Sequence, residues 1–299
     1  MFLPRARTLE KPRLSRHGDL QVRNKELTHL TTDMKCHYSL LSRGTERRRS
    51  RGHQRADGRF GYINIARSAE DFWIRPLPHG VSGSNEGALH CRAQSVTTVA
   101  LARIQLVAAS AFHSRAGEVP ICAPALVVGS GPVALGAALE LKRLGCPHVV
   151  VHTDDRAIGM RLPAIEGIVI EQRLAKDCTF GLLIDSVCTP QSLALTLNHC
   201  ERNSTLGLLG TPEGTTTLDL YQVHRHNIKL LGLHELNSED SQRQHLLEHI
   251  HYWLTSHHVE LAESVCEIHP STSFELAYPA LLEHSQPFLI HGFDWSTQE

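Results

Sequence analysis

No stretch of eighteen uninterrupted apolar residues occurs in this sequence, and there is no Cys-x-x-Cys pair, no internal repeat and no low-complexity tract. The first absence argues against a membrane-spanning helix, and the second against the common zinc-ribbon and thiol-redox motifs. Charge of one sign is not in excess either. Thirty Lys and Arg stand against 31 Asp and Glu, a formal net charge of -1, so no broad polyanion-binding surface is expected. The opening residues MFLPRARTLEKPRLSR place arginines where a secretory leader needs apolar continuity, so a cytoplasmic location is expected. What is present is an ordinary globular composition, 41% apolar and 20% charged over 299 residues, enough for one large or two ordinary domains. The eight cysteines are scattered and are expected to be reduced and mainly structural.

Along the chain the pattern changes near Ala123. Before it, strand signals are weak, as in LQVR at Leu20 and KCHYSLLS at Lys35. Between Arg43 and Arg59 lie seven arginines with only Glu46 and Asp57 as acids, which reads as a solvated basic loop. No aromatic interleaving accompanies these arginines, so no nucleic-acid partner is expected. After Ala123, the runs ALVVG, HVVVH, GIVIE, FGLLIDSV, STLGLLG and IKLLGLH recur, several of them separated by helical segments such as PVALGAALELKRLG. Strands apolar on both faces predict an α/β fold with a doubly wound parallel sheet covered by helices.

The stretch from Ala125 to Asp155 carries the clearest chemical signal. Gly129, Gly131 and Ala134 fit G-x-G-x-x-(G/A) between a strand and a helix. The first glycine permits a tight turn. The second lets a pyrophosphate approach backbone at the helix N-terminus, flanked by Ser130, Pro132 and Val133. At the end of the following strand, Thr153, Asp154 and Arg156 are expected to meet the adenosine ribose. A carboxylate there favours NAD and an arginine favours NADP, so either cofactor fits, with NAD slightly ahead. Because ligands lie at the carboxyl ends of such strands, Asp185, Ser186 and Val187 after GLLI, and Gly210 and Thr211 after TLGLL, join the expected cofactor lining.

The blocks SLLSRGTE, GRFGYINI, IRPLP, EGALHCRAQSVTTVALARI, VVGSGPVALGAALELKRLG, IDSV, LGLLG and SFELAYPALLEH, in this order, resemble the medium-chain dehydrogenase/reductase family. The resemblance covers roughly residues 35–50 and 58–295. It implies an abridged GroES-like β domain at residues 1–104, completed by 265–299, around a Rossmann domain at 105–264. It is similar to the zinc-free variant exemplified by bacteriochlorophyllide dehydrogenase-like members, because Ser42 stands where zinc-dependent relatives have a cysteine ligand. The Gly-His-Glu block is reduced to Gly52, His53 and Gln54, and Cys91 falls near the third ligand position; one thiolate does not make a three-ligand catalytic site. No metal is expected. The resemblance implies an NAD(P)-dependent oxidoreductase acting on a small-molecule alcohol, carbonyl or activated double bond. Thr45 and Glu46 are then the candidate catalytic residues, relaying the substrate proton. A catalytically inactive nucleotide-binding subunit is the competing expectation, since only eleven residues separate Glu46 from Gly58. The resemblance further implies a homodimer paired through IKLLGLH.

Two other constellations invite chemistry. His245-Leu-Leu-Glu248-His249 spells the inverted zinc-protease motif, yet Leu246, Leu247, Ile250, Trp253 and Leu254 form an amphipathic stripe expected to pack on a sheet. His90 and Cys91 are adjacent and therefore poorly placed to serve one reacting atom.

Overall fold

The computed structural model describes residues 33–50, 62–121, 124–154, 164–212, 215–283 and 289–297. Arg156, the LQVR segment and Arg51 to Arg59 lie outside these residues. The described strands and helices run β1 (Asp33–Met34), β2 (Tyr38–Leu41), α1 (Arg43–Ser50), β3 (Tyr62–Ser68), β4 (Asp71–Arg75), β5 (Gly83–Ser84), β6 (Leu89–Arg92) and α2 (Val96–His113). They continue with β7 (Ala125–Val128), α3 (Pro132–Arg143), β8 (Val149–His152), β9 (Ile168–Glu171), β10 (Phe180–Asp185), α4 (Pro190–Asn198), β11 (Cys200–Leu208), α5 (Leu220–His226) and β12 (Lys229–Gly232). Last come α6 (Asp240–His257), α7 (Val259–Val265), β13 (Cys266–Pro270), α8 (Phe274–Glu283) and β14 (Ile290–Asp294).

Strands β12-β11-β10-β7-β8-β9 form one parallel sheet, in that order. Residues of β7, β8 and β10 are buried throughout, as their unbroken apolar runs require. The strand GIVIE is different: β9 is an edge strand whose residues alternate between half-buried and exposed. Between β7 and β10 the strand order reverses, which opens a crevice at the carboxyl ends of the two central strands.

A second sheet has the order β13-β14-β2-β3-β4-β6. It is antiparallel from β14 to β6, while β13 pairs in parallel with β14. Strands from the end of the chain therefore sit beside β2 near its start. Helix α2 runs through residue 104, so the expected boundary there falls within a continuous helix. Its N-cap is Ser95, whose hydroxyl accepts from the Thr98 amide. Among the described residues it is the one helix long and apolar enough to cross a membrane, but most of it is buried against α3, α6 and α7.

At the crossing of α2 and α3 the backbones nearly touch. A Cβ placed on Gly136 would lie 2.7 Å from the Ile104 carbonyl oxygen. Gly136 thus closes a helix-helix contact. Beside it, buried Glu140 accepts from Gln105 Nε2 at 3.1 Å and from Arg143 Nε and an Arg143 terminal amine at 2.8 and 2.6 Å. The charge is buried but fully engaged.

One expectation from sequence needs correction and another needs extending. Arg43 to Ser50 is a helix instead of a loop, because Ser42 and Glu46 cap its first turn. Helix α6, with Leu247, Ile250 and Leu254 buried, packs on β6 at the edge of the second sheet, as expected, but also extensively on helix α2, which sequence did not suggest. All seven described cysteines are free thiols.

Candidate functional site

The crevice is built by turns that admit almost no added atom at two points and leave space at a third. Gly129 has φ of +139°, a conformation that L side chains rarely adopt, and a Cβ there would collide with the Ser186 hydroxyl. A Cβ on Gly210 would stand 2.5 Å from the carbonyl carbon and oxygen of Ser186 and 2.8 Å from the Val187 nitrogen. Ser186 donates to the Val128 carbonyl through both its hydroxyl, at 2.8 Å, and its amide, at 3.0 Å. The ends of β7, β10 and β11 are thereby locked together.

Asp185, fully buried at the end of β10, organises the next turn. Its carboxylate accepts from the amides of Val187 and Cys188, each at 2.8 Å, and from the Ser192 hydroxyl at 2.7 Å. These bonds hold Cys188 at φ of +56° and leave the Val187 side chain exposed at the rim. Asp185 was expected from sequence to line the cofactor site; it is fully buried, and its carboxylate instead holds the turn that carries Ser186 and Val187.

Gly131 differs from the other two glycines. It is the N-cap of α3 with no side-chain cap, and a Cβ there would meet nothing within 4 Å. First-turn amides of a helix lack intrahelical partners, and Pro132 at the first position is preset for this conformation. Ser130, Gly131, Pro132 and Val133 are half-buried around this open end. The result is an open helix N-terminus, the kind of end that can take an anion, flanked by small residues. Where β8 ends, Thr153 is buried, while the Asp154 carboxylate is exposed, 3.3 Å from His152 Nε2. Thr211 lies exposed just after Gly210.

Thr45 and Glu46 lie on α1. Thr45 is half-buried and its hydroxyl accepts from Ser42 Oγ at 3.2 Å. Glu46 is 2% exposed and already engaged: Oε1 accepts from the Ser42 amide at 2.7 Å, and Oε2 lies 3.1 Å from His79 Nε2. His79 Nδ1 lies 2.6 Å from Ser39 Oγ, which also accepts from the Trp295 indole at 2.8 Å. With the Nε2 proton aimed at Glu46, donors run in one direction from Trp295 through Ser39 and His79 to the carboxylate. Phe274, Tyr278 and Phe293 surround the His79 ring, with centroids 5.4, 5.6 and 5.9 Å away. No local motif announces this network, because its members are separated by 33 to 256 positions.

Cys91 is buried on β6, opposite Phe72 in the strand register, and burial pushes its thiol up to about 12, with Glu248 adding to the effect. Such a protonated, buried thiol is not a ready nucleophile. Its neighbour His90 instead pairs with Asp71 at 2.8 Å. His245 and His249 do share a face of α6, with their Nε2 atoms 3.0 Å apart, but they are exposed and no third ligand accompanies them among the described residues.

No family model matches the sequence, and no curated protein matches it. The structure is similar to several solved dehydrogenases. Staphylococcus aureus TarJ in complex with NADPH is 12% identical, with a TM-score of 0.60, and the match covers 89% of this chain and 91% of that one. The alcohol dehydrogenase rspB of Escherichia coli CFT073, complexed with NADH, is 12% identical with a TM-score of 0.59, covering 88% and 91%. A zinc-binding dehydrogenase of Sinorhizobium meliloti bound to NADP is 10% identical with a TM-score of 0.61, also covering 88% and 91%. These likenesses define the class of fold: a Rossmann sheet joined to a GroES-like sheet, as in those dehydrogenase structures.

Proposed function

We propose that this chain is an NAD(P)-dependent oxidoreductase that exchanges hydride with a small-molecule alcohol, carbonyl or activated double bond without a catalytic zinc. The observation that carries the reading is the open N-terminus of α3 at Gly131, set in the crevice between β7 and β10. The similar structures hold NADPH, NADH and NADP, which supports the same cofactor class in this crevice. When bound, the nicotinamide supplies the hydride chemistry. This chain would contribute the Val133 amide in the first turn of α3 and the dipole of that helix end for the pyrophosphate, the exposed Asp154 for the ribose diol, and Val187 as an apolar wall. Ser42 in place of a cysteine ligand and the buried Cys91 thiol support the zinc-free reading.

Gly131→Ala tests the cradle. Its backbone, at φ of -88°, accepts alanine, so the thermal midpoint should change little. Calorimetric affinity for NADH or NADPH should fall by about tenfold or more, because the new methyl occupies the approach to the pyrophosphate. Unchanged affinity, or no binding of either nucleotide by the wild type, would remove the basis of the proposal.

The engaged state of Glu46 favours a second reading, a nucleotide-binding subunit without turnover. Cofactor binding with no change at the reduced-nicotinamide absorbance band across a broad substrate panel would select it. Under either reading we expect a cytoplasmic homodimer. Strand β12 is an edge of the parallel sheet, free on one side among the described strands, and carries no proline. Light scattering should return twice the chain mass; a monomer at micromolar concentration would refute the pairing.

A further inference from the structure

The two strands that return to the second sheet carry a cluster outside the proposed cofactor crevice. Glu267 and His291 are paired in register across β13 and β14, and His269 lies two residues beyond Glu267 on the same face. His269 Nε2 is 3.2 Å from His291 Nδ1, and His291 Nδ1 is 3.6 Å from Glu267 Oε2. One ligand atom from each of the three lies within 4.8 Å of the others. Two donors held at about 2.0 Å by a tetrahedral ion stand about 3.3 Å apart, close to the 3.2 and 3.6 Å spacings, and the exposed glutamate side chain must swing inward to close the remaining one.

The geometry points to a divalent transition-metal site, of the zinc type, formed by Glu267, His269 and His291. Two imidazoles and one carboxylate are a recurrent zinc donor set. His291 is 2% exposed, His269 half-buried and Glu267 exposed, so the cluster has a fixed floor and one side open for a water ligand. The Arg43 charge near His291 opposes a bound cation, and the Glu267 carboxylate offsets it. Cys266 is adjacent but does not join the cluster: its thiol contacts the Thr97 carbonyl at 3.5 Å. The site belongs to the edge of the second sheet and would tie β13 to β14. It is independent of the hydride-transfer reading.

Full-length protein stripped with chelator and then titrated with Zn²⁺ against a chromophoric competitor tests the assignment without cofactor or substrate. One equivalent should bind. His269→Ala should weaken that equivalent by about 100-fold and Glu267→Gln by about tenfold, and Co²⁺ substitution should give the visible absorption of a four-coordinate ion. Saturating zinc should also raise the thermal midpoint of the wild type by about 5 °C and leave that of His269→Ala unmoved. The double variant His245→Ala/His249→Ala should keep the equivalent. The assignment fails if His269→Ala and the wild type bind zinc equally, if only the α6 double variant loses binding, or if no equivalent binds. His291 supports the strand core, so the partly exposed His269 and Glu267 decide the outcome.

Discussion

Gly136→Val is expected to lower the thermal midpoint by about 10 °C, which corresponds to on the order of 3 kcal/mol for a chain of this size. The added Cβ would sit 2.7 Å from the Ile104 carbonyl oxygen, 3.0 Å from its carbon and 3.1 Å from Gln105 Cα. All three are backbone atoms of α2, so no side-chain rotation relieves the overlap. The helices must separate. That separation would pull Gln105 from buried Glu140 and open the alanine-rich contact formed by Ala108, Ala134, Ala137 and Ala138. Gly145, which has no atom within 4 Å of a built Cβ but a φ of +87°, is the informative contrast. Gly145→Asn should cost well under half as much, since asparagine tolerates the left-handed region. Thermal denaturation followed by circular dichroism reads both. An unchanged midpoint for Gly136→Val would mean that the α2 and α3 backbones are not in contact in solution.

The second large effect is at Glu46. Glu46→Ala should destabilise the protein by about 3 kcal/mol or more, because it leaves the His79 Nε2 proton and the Ser42 amide without their buried acceptor. Glu46→Gln separates structure from chemistry. Its carbonyl oxygen can still accept one of the two hydrogen bonds, so the midpoint should fall only part of the way. A carboxylate that relays a substrate proton would lose turnover by about 100-fold or more in the glutamine variant, whatever the midpoint. Loss of stability with turnover intact would assign Glu46 to the Ser39, His79 and Trp295 network and leave Thr45 as the hydroxyl to test.

The Rossmann half was legible because its signals are local. ALVV, a glycine turn and PVALGAALELKR are contiguous, and their strand-turn-helix order needs no distant residue to define it. The helical start at Ser42 is also local, but it is carried by a glutamate reaching back to the cap, and a run of arginines obscured it. His79 gave no signal. Its partners Ser39, Glu46 and Trp295 come from β2, α1 and the segment after β14, and they meet only once the second sheet forms.

The same distinction separates the glycines. Sequence by itself determined that Gly129 and Gly131 flank a turn between strand and helix, because the motif is short and the required φ is a property of the residue. Only tertiary structure decided that Gly131 faces open space, that Gly210 packs on the Ser186 backbone and that Gly136 touches α2. Those outcomes depend on atoms far away in the chain. Sequence likewise supplied Glu267, His269 and His291, but as three residues among many acids and 21 histidines. Parallel pairing of β13 with β14 is what brings their donor atoms together, since register across strands is set by the packed sheet and not by spacing along the chain.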